Sequence, residues 1–474
     1  MAVEAVASRL QVDLTNFTTD MAVIGFTGAL GSGCSYLAKG LARHHNYIYC
    51  SLSKPIHDYA QSQGKAEATD SLQNIGNDLR RQFGLGYLVG VVLTEVSKSL
   101  PAKGDAKRPV GIVVDGIRNI GEVEALQQLL NFYLISVQAD TEFRKQRTIG
   151  PTKRFANVDQ FTAADARDRD EHTDCGQQIK ACNYLADIII INEKTVSAEA
   201  EKPYREYIRD LLYDNYVSLI EHVAKGKLPN ERIARPEEAL MTTAYVESKR
   251  SSCLKRKVGA VIASSTGDII SAGHNEVPDA SDPCIDDPRY GWCARDVVQE
   301  QIGREIGHCP SCGEPIIIKN TCKCGAGIVQ FSKRCPNCSR SVEIDYTCPK
   351  CKKSVFAEFL PGGGSDKTGK LLDICRALHA EENAILNLAK FGVRLPTVDK
   401  RGKDAHNLAD GCVLYSTTFP CNLCANKIVT VGIRKVVYAE PYTMEEAKKV
   451  FETQGVIIQR FQGVKSRAFF RLYA

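Results

Sequence analysis

The sequence has no run of 18 apolar residues, which excludes a membrane-spanning helix. It also has little charge imbalance: 61 Lys+Arg against 56 Asp+Glu leave +5. That is too weak to mark a nucleic-acid binder, because such domains carry a clustered basic footprint. Residues 1–6 (MAVEAV) lack a basic stretch leading into an apolar core. A secretory signal is therefore not expected, and the expected location is cytoplasmic. What the sequence has in excess is cysteine, 19 in 474 residues. An odd count with CxxC clustering and no export signal points to a reducing compartment where thiolates hold metal. The remaining composition, 43% hydrophobic and 25% charged, is globular. At roughly 100–200 residues per domain, the length suits two to four domains.

From Met21 onward, short β-branched runs alternate with helical stretches. Met21–Thr27, Val110–Asp115, Phe132–Ala139 and Ile188–Ile191 read as buried strands. Ser35–His44, Asn74–Leu100, Glu122–Leu130 and Tyr204–Ala224 read as helices. Such alternation means a parallel sheet covered on both faces, here over 21–224. Residues 225–236, polar and proline-punctuated, read as a linker. A second α/β pattern fills 237–474. It has a hairpin at Val258–Ala263 and Asp268–Asn275, a helix near Leu378–Lys390, and strands at Cys412–Thr417, Lys435–Ala439 and Val456–Phe461. A cysteine-rich stretch, 307–356, interrupts it.

The chemistry concentrates in His379-Ala-Glu381 and, beginning 41 residues after His379, Pro420-Cys421-Asn-Leu-Cys424. This is the H-x-E…P-C-x-x-C signature of zinc-dependent nucleobase deaminases. Cys421 and Cys424 are one helical turn apart, so both thiolates face one way. Pro420 is expected to preset the start of the helix, whose N-terminus favours negative sulfur. His379 supplies a third ligand, and three protein ligands leave one tetrahedral position for water, the mark of a catalytic zinc. The metal lowers that water's pKa from near 15.7 towards ~7. Glu381, beside the metal and not ligating it, is the expected proton carrier. The bland alternative is a structural Cys/His site with a chance HAE.

Four further pairs, Cys309/Cys312, Cys322/Cys324, Cys335/Cys338 and Cys348/Cys351, stand nine or ten residues apart. Two adjacent pairs make a Cys₄ site, so the stretch reads as a double zinc ribbon whose stability comes from metal. That gives one catalytic and two structural Zn²⁺ per chain. Scaffolding or oligomer contact and recognition of a regulator are both open roles for the ribbon. Cys50, Cys175, Cys182, Cys253 and Cys412 read as ordinary buried thiols. Cys284, Cys293 and Cys375 could form another metal site.

Gly28-Ala-Leu-Gly31-Ser-Gly33-Cys34-Ser35 follows a strand and opens a helix with the spacing of G-x-x-x-x-G-K-[ST]. Cys34 stands at the lysine position, so the amide cradle and a Ser35 ligand for Mg²⁺ survive while the main charge for γ-phosphate transfer is missing. Asp115-Gly-Ile-Arg118 ends a strand, and Arg144, Arg147 and Arg154 fall in a lid-like region. Together these resemble nucleoside monophosphate kinases. Three readings stand: a bare glycine-rich turn, nucleotide binding without efficient transfer, and full kinase activity with an arginine in place of lysine. The second is preferred.

Lys257-Val-Gly-Ala-Val-Ile262, His379-Ala-Glu-Glu-Asn-Ala-Ile385 and Leu414–Cys424 resemble deoxycytidylate deaminases. Gly273-His-Asn-Glu-Val-Pro278 falls where those enzymes carry a glycine-tyrosine-asparagine-glycine segment. His274 and Glu276 depart from that pattern. The whole arrangement is similar to antiphage deoxycytidine nucleotide deaminases. The resemblance implies a P-loop kinase-like parallel-sheet domain followed by a cytidine deaminase-like α/β/α domain carrying the ribbon. It implies substrate contacts at Asn275, on the sugar, and at Thr417 and Phe419. From the residues alone, a turn residue and a core aromatic are the alternative readings for Asn275 and Phe419. The implied activity converts dCTP and dCMP to dUTP and dUMP in a homo-oligomer held silent by an unidentified regulator. A housekeeping dCMP deaminase, a nucleic-acid editor and a binding protein with a dead deaminase site are the competing readings, the last disfavoured because His379, Glu381, Cys421 and Cys424 are all present. Against the editor, no basic stripe or aromatic platform surrounds the motifs.

Overall fold

The computed structural model describes residues 20–278, 377–392 and 411–473, apart from 66–67, 102–104, 106, 172, 195, 198, 228–231 and 442–444, together with 17, 283 and 375. The ribbon cysteines Cys309, Cys312, Cys322, Cys324, Cys335, Cys338, Cys348 and Cys351 lie outside the described residues, as do Cys284 and Cys293. No helix among the described residues is long and apolar enough to cross a membrane.

Five strands form the parallel part of the first sheet: β1 (Ala22–Thr27), β2 (Tyr47–Ser51), β3 (Gly111–Asp115), β4 (Phe132–Gln138) and β5 (Ile188–Ile191), in the order β5-β4-β1-β3-β2. Side-chain alternation divides their apolar residues between two cores. Val23, Val114 and Leu134 pack with the helices Thr69–Phe83 and Tyr87–Ser99 on one face. Ile24, Phe26, Val113 and Ile135 pack with the helix Cys34–His45 and the long helical stretch from Glu201 on the other. Both faces being covered explains why these strands are unbroken apolar runs.

The expected single helix Asn74–Leu100 is two, because Gly84, at φ +105°, ends the first at Phe83. The stretch Glu201–Ala224 contains a π-helical segment, Arg209–Val217. Cys50, Cys182 and Cys412 are buried as expected, whereas Cys175 and Cys253 are only half-buried.

The second sheet holds β6 (Gly259–Ala263), β7 (Ile269–His274), β8 (Val413–Thr418), β9 (Lys435–Glu440) and β10 (Ile457–Arg460), in the order β10-β9-β8-β6-β7. β6 pairs antiparallel with β7 and β8; β8, β9 and β10 run parallel. The helices Ala380–Lys390 and Asn422–Thr430 cover one face over Ile262, Leu414 and Val436. The helix Pro236–Lys249 covers the other over Val261, Tyr415 and Val437.

The last residues depart from the expected span 237–474. β11 (Gly463–Val464) leaves the second sheet and pairs antiparallel with β5 of the first. The buried Glu238 carboxylate accepts from Val464 N at 2.8 Å and Tyr473 OH at 3.0 Å. Arg471 donates to Leu130 O at 2.7 Å. The chain end therefore packs with the first domain and joins the two.

Candidate active site

Two helix starts converge on one point. β8 runs through Phe419 and Pro420 into Cys421, the N-cap of Asn422–Thr430. Pro420 lies before the cap rather than at the first helical position, so it acts by holding Phe419 extended on approach. Cys424 follows in the first turn. His379 is the N-cap of Ala380–Lys390, with ψ 158°. Its Nδ1 lies 3.3 Å from Cys421 Sγ and 3.4 Å from Cys424 Sγ. These three ligand atoms lie within 4.8 Å of one another. Tetrahedral zinc with Zn–S about 2.3 Å and Zn–N about 2.0–2.1 Å sets its ligand atoms roughly 3.5 Å apart, so the donor set fits.

The electrostatics agree. Hydrogen bonds from Cys424 and His379 hold the Cys421 thiol well below its usual range, and both helix dipoles favour anionic sulfur. Glu381 is buried, and its Oε1 accepts from Ser416 Oγ at 2.8 Å. Burial raises its pKa. A buried carboxyl one turn from the metal ligands, yet outside the ligand cluster, is suited to moving protons.

The sheet fixes the helix Ala380–Lys390 closely. Ser271 Oγ donates to Ala384 O at 2.7 Å, Asn383 Nδ2 to His274 O at 2.7 Å, and Asn387 Nδ2 to Ala272 O at 2.8 Å. A Cβ on Gly273 would lie 2.4 Å from Ala384 N, so only glycine permits this approach. Glu276 and Leu378 form an antiparallel bridge that delivers His379. Sequence reasoning named neither that bridge nor Ser416. The only signal for Ser416 was its place one position before Thr417 on a buried strand.

The expected substrate residues sit near the cluster with other partners. Asn275 Oδ1 accepts from Val258 N at 2.7 Å, and its Nδ2 donates to Arg256 O at 2.8 Å. Its side chain thus shapes the loop before β6. Thr417 Oγ1 accepts from Gly259 N at 3.2 Å. Phe419 packs edge-on against Tyr438 and Phe451, with centroids 4.9 and 6.0 Å away, as a core aromatic would. His274 Nδ1 lies 3.3 Å from Glu247 Oε2, and Glu276 accepts from Ser252 N at 2.8 Å.

In the first domain, the Gly28–Ser35 loop links β1 to the helix Cys34–His45, with Gly31 at φ +80° and Gly33 at φ +98°. Cys34 Sγ lies 3.4 Å from Ser32 Oγ. Burial, then Asp115, push the thiol up to about 12, so it is neutral where a lysine would bring charge. Asp115 Oδ2 accepts from Tyr49 OH at 2.9 Å. Arg118 pairs with the buried Asp168. Arg144 pairs with Asp165, and Arg147 donates to the carbonyls of Gly31 and Ser32, both at 3.3 Å. Arg144 also donates to Leu30 O at 3.1 Å, so both arginines brace the loop through its carbonyls.

Residues 234–440 match the family model described as the cytidine and deoxycytidylate deaminase zinc-binding region. The deoxycytidylate deaminase of Schizosaccharomyces pombe is 20% identical over 417 residues, 87% of this chain and 94% of that protein. That of Saccharomyces cerevisiae is 26% identical over 53% of this chain and 54% of its own length. Against the second relative, the chain therefore spans about half. The dCMP deaminase of cyanophage S-TIM5, solved with dCMP and dUMP, is 19% identical, covers 48% of this chain and all of that one, and has a TM-score of 0.24.

Proposed function

We propose that this chain, whose residues 234–440 match a cytidine and deoxycytidylate deaminase zinc-binding region, is a zinc-dependent hydrolytic deaminase of free deoxycytidine nucleotides. Water replaces the 4-amino group of dCMP and dCTP, giving dUMP or dUTP and ammonia. The observation that carries this reading is the convergence of His379, Cys421 and Cys424 beside the buried Glu381. Zinc held by those three residues supplies a Lewis acid that lowers the pKa of a water towards ~7. Glu381 takes one proton from the attacking water and gives it to the base N3, then takes the second from the new 4-hydroxyl and gives it to the amino group, so that the C4–N bond breaks, the C4 carbonyl forms and ammonia leaves. Ser416 orients its carboxyl, and the Glu276–Leu378 bridge orients His379. Asn275, by holding the turn before β6, sets the wall that meets the sugar.

A free nucleotide is favoured over a polynucleotide because Phe419, the aromatic beside the ligands, is packed into the core and offers no stacking face. The biological role in this reading is depletion of dCTP during phage infection. The test is purified protein incubated with dCMP, dCTP, CTP and single-stranded DNA, with products resolved and zinc counted by elemental analysis. The expected outcome is turnover of dCMP and dCTP, little with CTP, none with DNA, and three zinc ions per chain. Uracil within the polynucleotide would replace this reading with the editor. A zinc value near one would leave the ribbon cysteines without metal.

In the same reading, the first domain binds a nucleotide through its Gly28–Ser35 amides without efficient phosphoryl transfer, since a neutral Cys34 replaces the lysine. The protein should retain a labelled triphosphate and hydrolyse it negligibly. Rapid hydrolysis that depends on Ser35 would instead mean a working kinase site.

A further inference from the structure

Lys465 is the one lysine among the described residues that is both fully buried and placed between the two domains. Its Nζ donates to Asn183 O at 3.3 Å, Tyr184 O at 2.9 Å and Tyr245 OH at 3.0 Å. The first two acceptors are carbonyls at the C-terminal end of the helix Ile179–Leu185 in the first domain. Helix-end carbonyls run out of i+4 donors, so Asn183 O is left with only a 3.3 Å bond from Ala186 N besides the lysine, and the dipole there favours a cation. The third acceptor belongs to the helix Pro236–Lys249 of the second domain. Lys465 Nζ also lies 4.7 Å from the Tyr245 ring centroid. A buried ammonium is costly unless such acceptors converge on it.

The contacts continue into the deaminase domain. Tyr245 OH lies 3.4 Å from Glu440 Oε1, and Glu440 Oε2 lies 2.6 Å from Arg256 Nη2. Glu440 ends β9 and anchors both sides of the site. Its carboxylate holds Arg256, whose carbonyl accepts from Asn275 Nδ2 at 2.8 Å. Its own carbonyl accepts from Phe419 N at 3.0 Å, two residues before Cys421.

We propose that Lys465 is a positioning residue for the deaminase site: from the chain end it fixes Tyr245, and through Glu440 and Arg256 it sets the loop that carries Asn275. This rests on reading residues 379–424 as a deaminase centre. The first domain thereby bears on substrate binding without touching substrate.

The test uses the full-length chain as wild type, Lys465→Met, Arg256→Met and the double variant, each checked for fold and zinc content. Each single change should raise KM for dCMP about tenfold with kcat within about twofold, the scale of one lost buried hydrogen bond. The double variant should also be raised about tenfold, not a hundredfold, because both changes break one connection. Hydrogen exchange in the peptide spanning Val258 and Asn275 should quicken in Lys465→Met without substrate. If that variant fails to fold, Tyr245→Phe removes only the hydroxyl and should give the same two signatures more weakly. Multiplying KM effects, or a folded variant with unchanged KM and unchanged exchange, would overturn the proposal. A wild type inert on every nucleotide would sink the deaminase reading, while the exchange measurement would still decide the link.

Discussion

A lysine without solvent has a consequence for stability. Burial lowers the Lys465 pKa from 10.5 to about 8, against the opposing pull of Glu440 and Asp187. Below about pH 8 the group is protonated in both folded and unfolded chains, and folding carries the full cost of burying the charge. Between about 8 and 10.5 the unfolded chain holds more proton than the folded one, so this group's contribution makes stability rise with pH. Denaturant titrations of wild type and Lys465→Met should therefore diverge in favour of wild type across that interval. A constant difference would mean that the group does not titrate there. The chemistry-bearing residues differ in how plainly the sequence announces them. His379, Glu381, Cys421 and Cys424 were legible because a metal demands fixed residue types at fixed spacing. Asn275, Thr417 and Phe419 were legible only as positions. Their partners, backbone amides and neighbouring rings, depend on β6, β8 and β9 meeting in space.

The helix Ala380–Lys390 carries both His379 and Glu381 at its start, and its seat on β7 decides where both point. Gly273 is the contact that allows the seat, since an added Cβ would meet Ala384 N at 2.4 Å and Ala380 O at 2.7 Å. Gly273→Ala should push the helix outward, cost about 1–3 kcal/mol by overpacking, and reduce zinc content together with activity. Unchanged melting and zinc content would show that the helix has slack. Most strands were readable as β-branched runs. β2 was missed, and so was the division of the helices at Gly84, because a local break leaves the apolar period on either side intact. Helix Ile179–Leu185 has seven residues, too few to display a period.

At the scale of the molecule, two α/β units were evident from the changing pattern, while their connection was not. β11 has two residues, no alternation to read, and a partner some 270 residues earlier in the chain. Its placement follows from Glu238 and Lys465, polar residues that found buried partners only once both sheets existed. The central claim, that these units hold a hydrolytic deaminase centre at His379, Cys421 and Cys424 with Glu381 as proton carrier, comes down to separating metal from proton transfer. The measurement is ammonia released from dCMP by wild type and Glu381→Ala at equal, measured zinc content. The variant should keep its zinc and lose at least about 10²–10⁴-fold in rate, the usual contribution of a positioned acid–base group. Comparable turnover by a zinc-replete Glu381→Ala protein would contradict the account.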